Sequence, residues 1–253
     1  MFRENKIDNF YIDILIYKNI YIMNSDNNIK KNFYRLDEYK NKHLNSDIYI
    51  LASGKSLDYI DNSFFKNKIT IGVNQVCNKY ISTYLVRKEH ILLDSILNIN
   101  TIHFVSRGNC GGNDFLNEKY IVDKYQDNKN IILYNHDANT CKIENLPSDD
   151  DKLIVSWSTI TTAIHLAAHM GSKNIILIGH DCGFLDGESN FINYYDEKYI
   201  PDKNFYNDWL PKIESQTIKL KLLLKEKYGC NIYSLNPFIN FNLEGHIYSK
   251  ILN

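Results

Sequence analysis

The chain has 253 residues, of which 44% are apolar and 23% are charged, and its formal net charge is −1. These values are typical of a globular protein, so the chain is long enough to form one large domain with a buried core. With a net charge near zero, no global basic field draws nucleic acid to the chain, and we expect no nucleic-acid partner. Five widely spaced cysteines without a C-x-x-C pair argue against a disulfide framework and a structural zinc site.

The first 45 residues differ from the rest of the chain. They are polar, lack glycine and proline, and include an amide-rich and charged stretch over residues 24–31. We therefore predict an N-terminal extension over residues 1–45 and a main domain over residues 46–253. The apolar run at residues 10–17 is too short to span a bilayer and contains Asp13. We expect no transmembrane segment, no signal peptide and a cytoplasmic location.

From Asp47 onward, short apolar runs alternate with helical patterns, which is typical of βαβ units. The predicted strands cover residues 48–52, 69–73, 83–86, 102–105, 131–134, 153–155, 174–179 and 231–234. The predicted helices cover residues 57–65, 89–97, 159–170 and 213–227. Loops are expected at 107–113 and 180–206, and the second is long enough to suggest a functional role. The pattern predicts an α/β fold with a Rossmann-like, mostly parallel sheet and helices on both faces.

The first predicted strand ends in the small polar turn Ser53, Gly54, Lys55 and Ser56. Small residues let backbone N–H groups approach a phosphate, and a following helix N-terminus favours an anion. The turn is not a P-loop, because that motif needs a glycine five positions before Gly54, where Tyr49 stands. A plain strand-to-helix turn is the alternative. Ligand binding at strand carboxyl ends in open α/β sheets favours a site.

Two more segments are placed to reach the same edge. Asn74 and Gln75 follow the second predicted strand, and their amides can bond a base, a ribose or a phosphate, although a strand-end Asn is often only a turn residue. A further group precedes the helix predicted at 159–170, where it can bind a nucleotide or simply cap the helix. Its members are Ser156, Trp157, Ser158 and Thr159.

The strand at 174–179 ends in Gly179 and is followed by His180 and Asp181. The polar side chains of His180 and Asp181 favour a functional site over a core position. Asp181 could also bind Mg²⁺ together with Asp186 and Glu188, or belong to a solvated loop. Histidines at residues 165 and 169 lack the Glu of a metalloprotease motif, so no metal site is predicted there. The basic pair at 87–88 could meet phosphate or lie in solvent.

Three segments occur in order: residues 50–57 with Ile60 and Asp61, residues 72–75, and residues 156–159 continuing through 171–181. This set resembles a superfamily that contains bacterial CMP-sialic acid sialyltransferases, motility-associated (Maf) flagellin glycosyltransferases and MptE-like 6-hydroxymethylpterin diphosphokinases. The resemblance covers roughly residues 47–240, with a poor match between residues 86 and 152. It implies that Gly54 and Ser56 line the nucleotide phosphate or sugar, that Asn74 and Gln75 contact the donor, and that Asp181 closes the site.

The chain departs from the sialyltransferases in two places. Their general base is a His before the last long helix, whereas residues 208–212 here contain none. Their leaving-phosphate tyrosines lie in the loop after the Asp, whereas here that stretch reads Cys182, Gly183 and Phe184, and the first tyrosines after Asp181 are at 194 and 195. We expect a glycosyltransferase-like enzyme that uses a CMP-type nucleotide-sugar and a glycan or other hydroxyl acceptor, without a required cofactor. Asp181 or His180 is the expected base, with Asp208 and His246 in reserve.

Two alternatives to sugar transfer stay open. The first is a diphosphokinase that transfers pyrophosphate from ATP and needs Mg²⁺. The second is a non-catalytic nucleotide-binding protein of the same fold, which the missing His would favour.

Overall fold

The computed structural model describes residues 33–88, 100–108, 115–136, 142–194 and 203–235. Within these ranges one sheet contains eight strands: β1 (Asp47–Leu51), β2 (Ile69–Val73), β3 (Tyr84–Arg87), β4 (Ile102–Ser106), β5 (Ile131–His136), β6 (Lys152–Leu153), β7 (Asn174–Ile178) and β8 (Asn231–Ser234). The helices described in these ranges are α1 (Leu116–Tyr125), α2 (Ile160–His169) and α3 (Lys203–Tyr228).

The strand order is β6-β5-β4-β3-β2-β1-β7-β8, and every neighbouring pair is parallel. Strands β1 to β6 follow one another in a single direction, whereas β7 returns to the other side of β1. The order therefore reverses between β1 and β7, which is where open α/β sheets bind ligands outside the carboxyl ends of their strands. Leu51 is in register with both Gly72 of β2 and Ile178 of β7, so these three strands end side by side.

Strand residues alternate between two buried faces, because successive side chains of a strand point in opposite directions. On β1, Ile48 and Ile50 belong to the core that α2 and α3 cover, whereas Tyr49 and Leu51 belong to a second core on the other face. The α1 residue Ile121 packs in a third cluster with strand residues of β4 and β5. The predicted Rossmann-like α/β fold with helices on both faces is confirmed.

All eight predicted strands are present, with ends that differ by no more than two residues from the prediction. The helix predicted over 57–65 is wrong: two short 3-10 turns, Lys55–Tyr59 and Asn62–Phe65, occupy this region. The Asp61 side chain accepts a hydrogen bond from the Ser63 N–H, and such local bonds compete with a continuous helix.

The other helices differ from expectation mainly at their starts. The predicted start of α3 at residue 213 is ten residues late, because Pro211 lies inside the helix rather than ahead of it. Proline usually interrupts a helix, which explains the late start in the prediction. Helix α1 was not predicted, whereas α2 agrees with the prediction to within one residue at each end. The predicted helix at 89–97 and most of the loop at 107–113 lie outside the described residues.

Residues 33–45 contact the sheet domain directly. Phe33, Leu36 and Tyr39 are buried, and the Asn41 N–H donates to the His169 carbonyl at 3.0 Å. Residues 1–32 lie outside the described ranges, so the extension boundary at residue 45 stays a prediction. None of the described helices has the length and apolar character needed to cross a bilayer.

Candidate functional site

The turns after β1 and β7 are joined by hydrogen bonds. The Gly54 N–H donates to the Gly179 carbonyl at 2.6 Å, and the Ser56 N–H donates to Asp181 Oδ2 at 2.7 Å. The Ser56 hydroxyl donates to Asp181 Oδ1. A Cβ on Gly54 would lie 2.5 Å from Asp181 Cγ and closer still to the Gly179 carbonyl oxygen. Gly54 is therefore required by the close approach of the two turns.

This contact changes the interpretation of the first turn. Ser56 and Asp181 are 3% and 2% exposed, and the Ser56 N–H bonds the carboxylate of Asp181. Burial raises the pKa of Asp181, while its hydrogen bonds from Ser56 oppose that rise. The turn precedes a 3-10 turn instead of the expected helix N-terminus. The anion bound by Ser56 is therefore the protein's own Asp181.

Replacing Asp181 tests this link. Asp181→Asn replaces two acceptor oxygens with one, so only one of the two Ser56 donors keeps its acceptor. We therefore expect a loss of about 1–2 kcal/mol in unfolding free energy. Asp181→Ala leaves both donors buried and should cost about 2–4 kcal/mol. Urea unfolding measures both. The control Asp186→Asn alters an exposed carboxylate that bonds Tyr59, and an equal loss there would contradict the prediction.

The side chain of Lys55 is held by Asp58, with Nζ 2.9 Å from Asp58 Oδ2. That hydrogen bond is the main reason why the pKa of Lys55 is raised. Asp58 also contacts Lys79 and accepts a hydrogen bond from the Ile192 N–H at 3.1 Å. Burial acts to raise the pKa of Asp58, but these hydrogen bonds lower it overall. The ion-pair cluster fastens the segment after β7 to the segment after β1.

Asn74 connects three other segments at the same edge. Its backbone is left-handed, with φ of 52°, a conformation that Asn tolerates better than most residues. Its Nδ2 lies 3.4 Å from Thr159 Oγ1, and its carbonyl accepts a hydrogen bond from Arg87 at 3.2 Å. The Tyr194 hydroxyl forms hydrogen bonds with the side chains of Asn74 and Ser53. Gln75, the residue after Asn74 in the chain, is half-buried at the same edge.

Tyr194 and Arg87 also lie at this edge, although sequence analysis assigned Tyr194 no site role and left Arg87 open between a phosphate contact and solvent. Tyr194 is buried, and burial raises its pKa to about 12, so its hydroxyl stays protonated at neutral pH. Arg87 is 4% exposed, and burial lowers the pKa of its guanidinium. A solvated basic pair is therefore wrong for Arg87. Its position as the last residue of β3, at the carboxyl edge, was the available signal.

The segment before α2 combines a structural and an exposed part. Ser156 is buried, and its N–H donates to Thr161 Oγ1 at 3.1 Å. Ser158 Oγ lies 3.5 Å from the Ile160 N–H, so Ser158 caps the start of α2 only weakly. Thr159 makes no side-chain capping hydrogen bond. Trp157 and Ser158 are half-buried and remain accessible beside Thr159.

His180 is buried against α3. Its Nε2 lies 2.9 Å from Thr217 Oγ1, whose hydroxyl donates to the Ile213 carbonyl at 3.0 Å. The Thr217 oxygen therefore accepts from His180, which places the ring proton on Nε2. Burial lowers the pKa of His180 to about 4, so the ring is neutral at pH 7. His180 and Asp181 lie beneath the edge, and their catalytic roles stay predictions.

Metal ligands are not grouped in the part of the chain that the structure describes. No cluster of three or more His, Cys, Asp or Glu side chains occurs there. Asp186 and Glu188 are exposed on the turn between Leu185 and Glu188, while Asp181 bonds Ser56. His165 and His169 are buried and bond neighbouring groups, as expected for packed histidines.

Comparison with known proteins gives a fold likeness only. No protein-family model and no curated protein matches the chain. Among solved structures, the chain is similar to the sialyltransferase CstII from Campylobacter jejuni in complex with a substrate analogue, cytidine-5'-monophosphate. The identity is 17%, 78% of this chain and 86% of that chain are covered, and the TM-score is 0.42. It is also similar to the monofunctional alpha-2,3-sialyltransferase Cst-I from the same organism, with 18% identity, 79% and 83% covered, and a TM-score of 0.45.

Proposed function

We propose that this chain is a glycosyltransferase-like enzyme that binds a CMP-type nucleotide-sugar and transfers the sugar to a hydroxyl acceptor. The observation that carries the proposal is the meeting of four separate segments at the point where the strand order reverses. Ser53, Asn74, Thr159 and Tyr194 are linked there by side-chain contacts. The ordered sequence segments that resemble nucleotide-sugar transferases lead to this same edge.

The chemistry of the edge suits a phosphate-bearing donor. Asn74, Gln75, Ser53 and Ser158 are half-buried and offer neutral amide and hydroxyl donors. Such donors, fixed by neighbours before the ligand binds, stabilise the negative charge that develops on a departing phosphate. Arg87, buried below Asn74, adds positive charge under the same position. This set requires no metal ion.

Transfer to a hydroxyl also needs a proton acceptor that the substrate can reach. His180 and Asp181 are 5% and 2% exposed and bond protein groups, which favours positioning roles for both. The Asp208 side chain is 64% exposed, and its Oδ2 lies 2.6 Å from Lys212 Nζ. We propose Asp208 as the base. His246, the other reserve, lies outside the described residues.

The proposal predicts selective stabilisation by nucleotides. CMP should raise the melting temperature of the full chain without Mg²⁺, because a ligand that binds only the native state stabilises it. The screen includes UDP, GDP and ATP, each with and without Mg²⁺. Stabilisation by ATP that depends on Mg²⁺ would support the diphosphokinase alternative instead. Stabilisation by none of the nucleotides would contradict the proposal.

Asn74 provides a sharper test. Asn74→Asp keeps a residue that tolerates a left-handed backbone but replaces the amide donor with a negative charge facing the phosphate. We expect CMP affinity to fall at least about tenfold by calorimetry, with little change in melting temperature. The matched control is Asn78→Asp, an exposed amide of the same 3-10 turn. Equal loss of affinity in both variants would show a general charge effect.

A further inference from the structure

A group of aromatic rings lies beside the proposed nucleotide site. Trp157 meets Trp209 edge to face, with ring centroids 5.1 Å apart and an interplanar angle of 88°. Phe205 stacks on Trp209 with centroids 4.9 Å apart and an angle of 26°. We call these three rings the aromatic corner. It joins the turn before α2 to the first turns of α3.

The corner is accessible even though its rings are large and apolar. Phe205 is 44% exposed, and both tryptophans are half-buried. Ligand sites in proteins are lined mainly by apolar and aromatic side chains, so the accessible part of these rings offers a surface for a ligand. Trp157 lies two residues before Thr159, whose hydroxyl contacts Asn74. A ligand on the corner is therefore next to the edge where the donor would bind.

Polar side chains lie beside the Trp157 ring. Lys212 Nζ lies 4.8 Å from the centroid of the Trp157 ring and 2.6 Å from Asp208 Oδ2. The Ser158 hydroxyl follows Trp157 in the chain. A pyranose ring has an apolar C–H face that packs on an aromatic ring and equatorial hydroxyls that reach polar groups at its rim. The corner offers both features, and the proposed base Asp208 stands at its edge.

The perpendicular arrangement favours a saccharide over a nucleobase. A flat base binds best between or upon parallel ring faces. Here Phe205 already covers one face of Trp209, and Trp157 stands at a right angle to it. A chair-shaped sugar can place its C–H face on one ring and its rim towards the other.

We propose that the aromatic corner binds the pyranose ring of a saccharide acceptor. This inference rests on the proposed function in one respect: the saccharide is called an acceptor because the corner would deliver its hydroxyl to the donor site. It adds a binding surface and a substrate class that the nucleotide site alone does not define.

Tryptophan emission tests the inference directly, because the two tryptophans of the chain both belong to the corner. The methyl β-pyranosides of glucose, galactose and N-acetylglucosamine are titrated into the full chain with and without CMP, and the acyclic polyol sorbitol serves as control. We expect at least one pyranoside to change the emission saturably while sorbitol does not. Trp209→Ala, read through Trp157, should weaken that binding at least about tenfold.

Two further variants exclude unfolding as the cause. Trp209→Phe keeps an aromatic face and should recover part of the affinity. Leu222→Ala removes an exposed side chain farther along α3 and should leave the affinity unchanged.

If CMP stabilises the chain but no pyranoside changes the emission, the corner is not a saccharide site and the proposed function stands. If CMP alone saturably changes the emission and Trp157→Ala abolishes this, the rings bind the base and the inference is overturned.

The reverse result is equally informative. If pyranosides bind the corner but no nucleotide stabilises the chain, the saccharide site is supported and the transferase proposal fails.

Discussion

Gly54→Ala should lower the unfolding free energy by about 3 kcal/mol and abolish nucleotide binding, because an added methyl group forces the β1 and β7 turns apart. The new Cβ would lie 2.5 Å from Asp181 Cγ, which is closer than any ordinary carbon contact. The nearby carbonyl of Gly179 is backbone and cannot rotate away. Moving Asp181 would also break its bonds to Ser56. Chemical unfolding and CMP calorimetry measure the two effects.

Gly187→Ala is the matched control. Gly187 has φ of 79°, and nothing lies within 4 Å of its added Cβ. The substitution therefore introduces only backbone strain, about 1–2 kcal/mol, and no steric contact. Gly54 has φ of −65°, so its substitution introduces the contact without the strain. A loss of stability in Gly54→Ala no larger than that in Gly187→Ala, or intact CMP binding in Gly54→Ala, would contradict the predicted steric contact.

The sheet was predictable because its strands are short apolar runs separated by helices or turns. A buried parallel strand such as β7 needs apolar residues on both faces, and its sequence has them. Local patterns also identified the strand-end turns, since Ser53 lies two residues after the end of β1 and Asn74 directly follows β2. Strand order was beyond the sequence, because pairing of β1 with β7 depends on residues more than a hundred positions apart.

The interior of the site was not predictable for the same reason. Asp181 looks like a solvent-facing catalytic carboxylate in sequence, and only the packing of two turns places it on Ser56. His180 likewise meets Thr217 of α3 through a contact across 37 positions. Tyr194 lies in a loop with no regular pattern, and its bonds to Asn74 and Ser53 depend on the path of that loop. Which polar residues are buried and which a ligand can reach is therefore decided by tertiary packing, which local sequence patterns do not reveal.

Acid should destabilise the domain steeply below pH 6.5, and His103→Leu should reduce that effect. His103 is 1% exposed, and neither ring nitrogen has a hydrogen-bond partner among the described residues. Burial and, to a lesser extent, the charge of Arg87 lower its pKa to about 4. An unfolded histidine has a pKa near 6.5, so the unfolded chain binds the proton first. Stability is therefore complete above pH 6.5 and decreases as the pH falls towards 4.

The expected loss from His103 alone is about 3 kcal/mol between pH 6.5 and 4, or about 1.4 kcal/mol per pH unit. His165 and His180, with pKa values lowered to about 3 and about 4, act in the same direction. Asp181 acts in the opposite direction, because burial raises its pKa and the native state then takes up a proton first. Urea unfolding at several pH values should therefore show a shallower acid slope for His103→Leu, with stability equal or higher at pH 7. The comparison variant His43→Gln changes a half-buried ring whose pKa burial also lowers, so it should flatten the acid slope less than His103→Leu does. An unchanged slope in His103→Leu would mean that the His103 ring can protonate without leaving the native state.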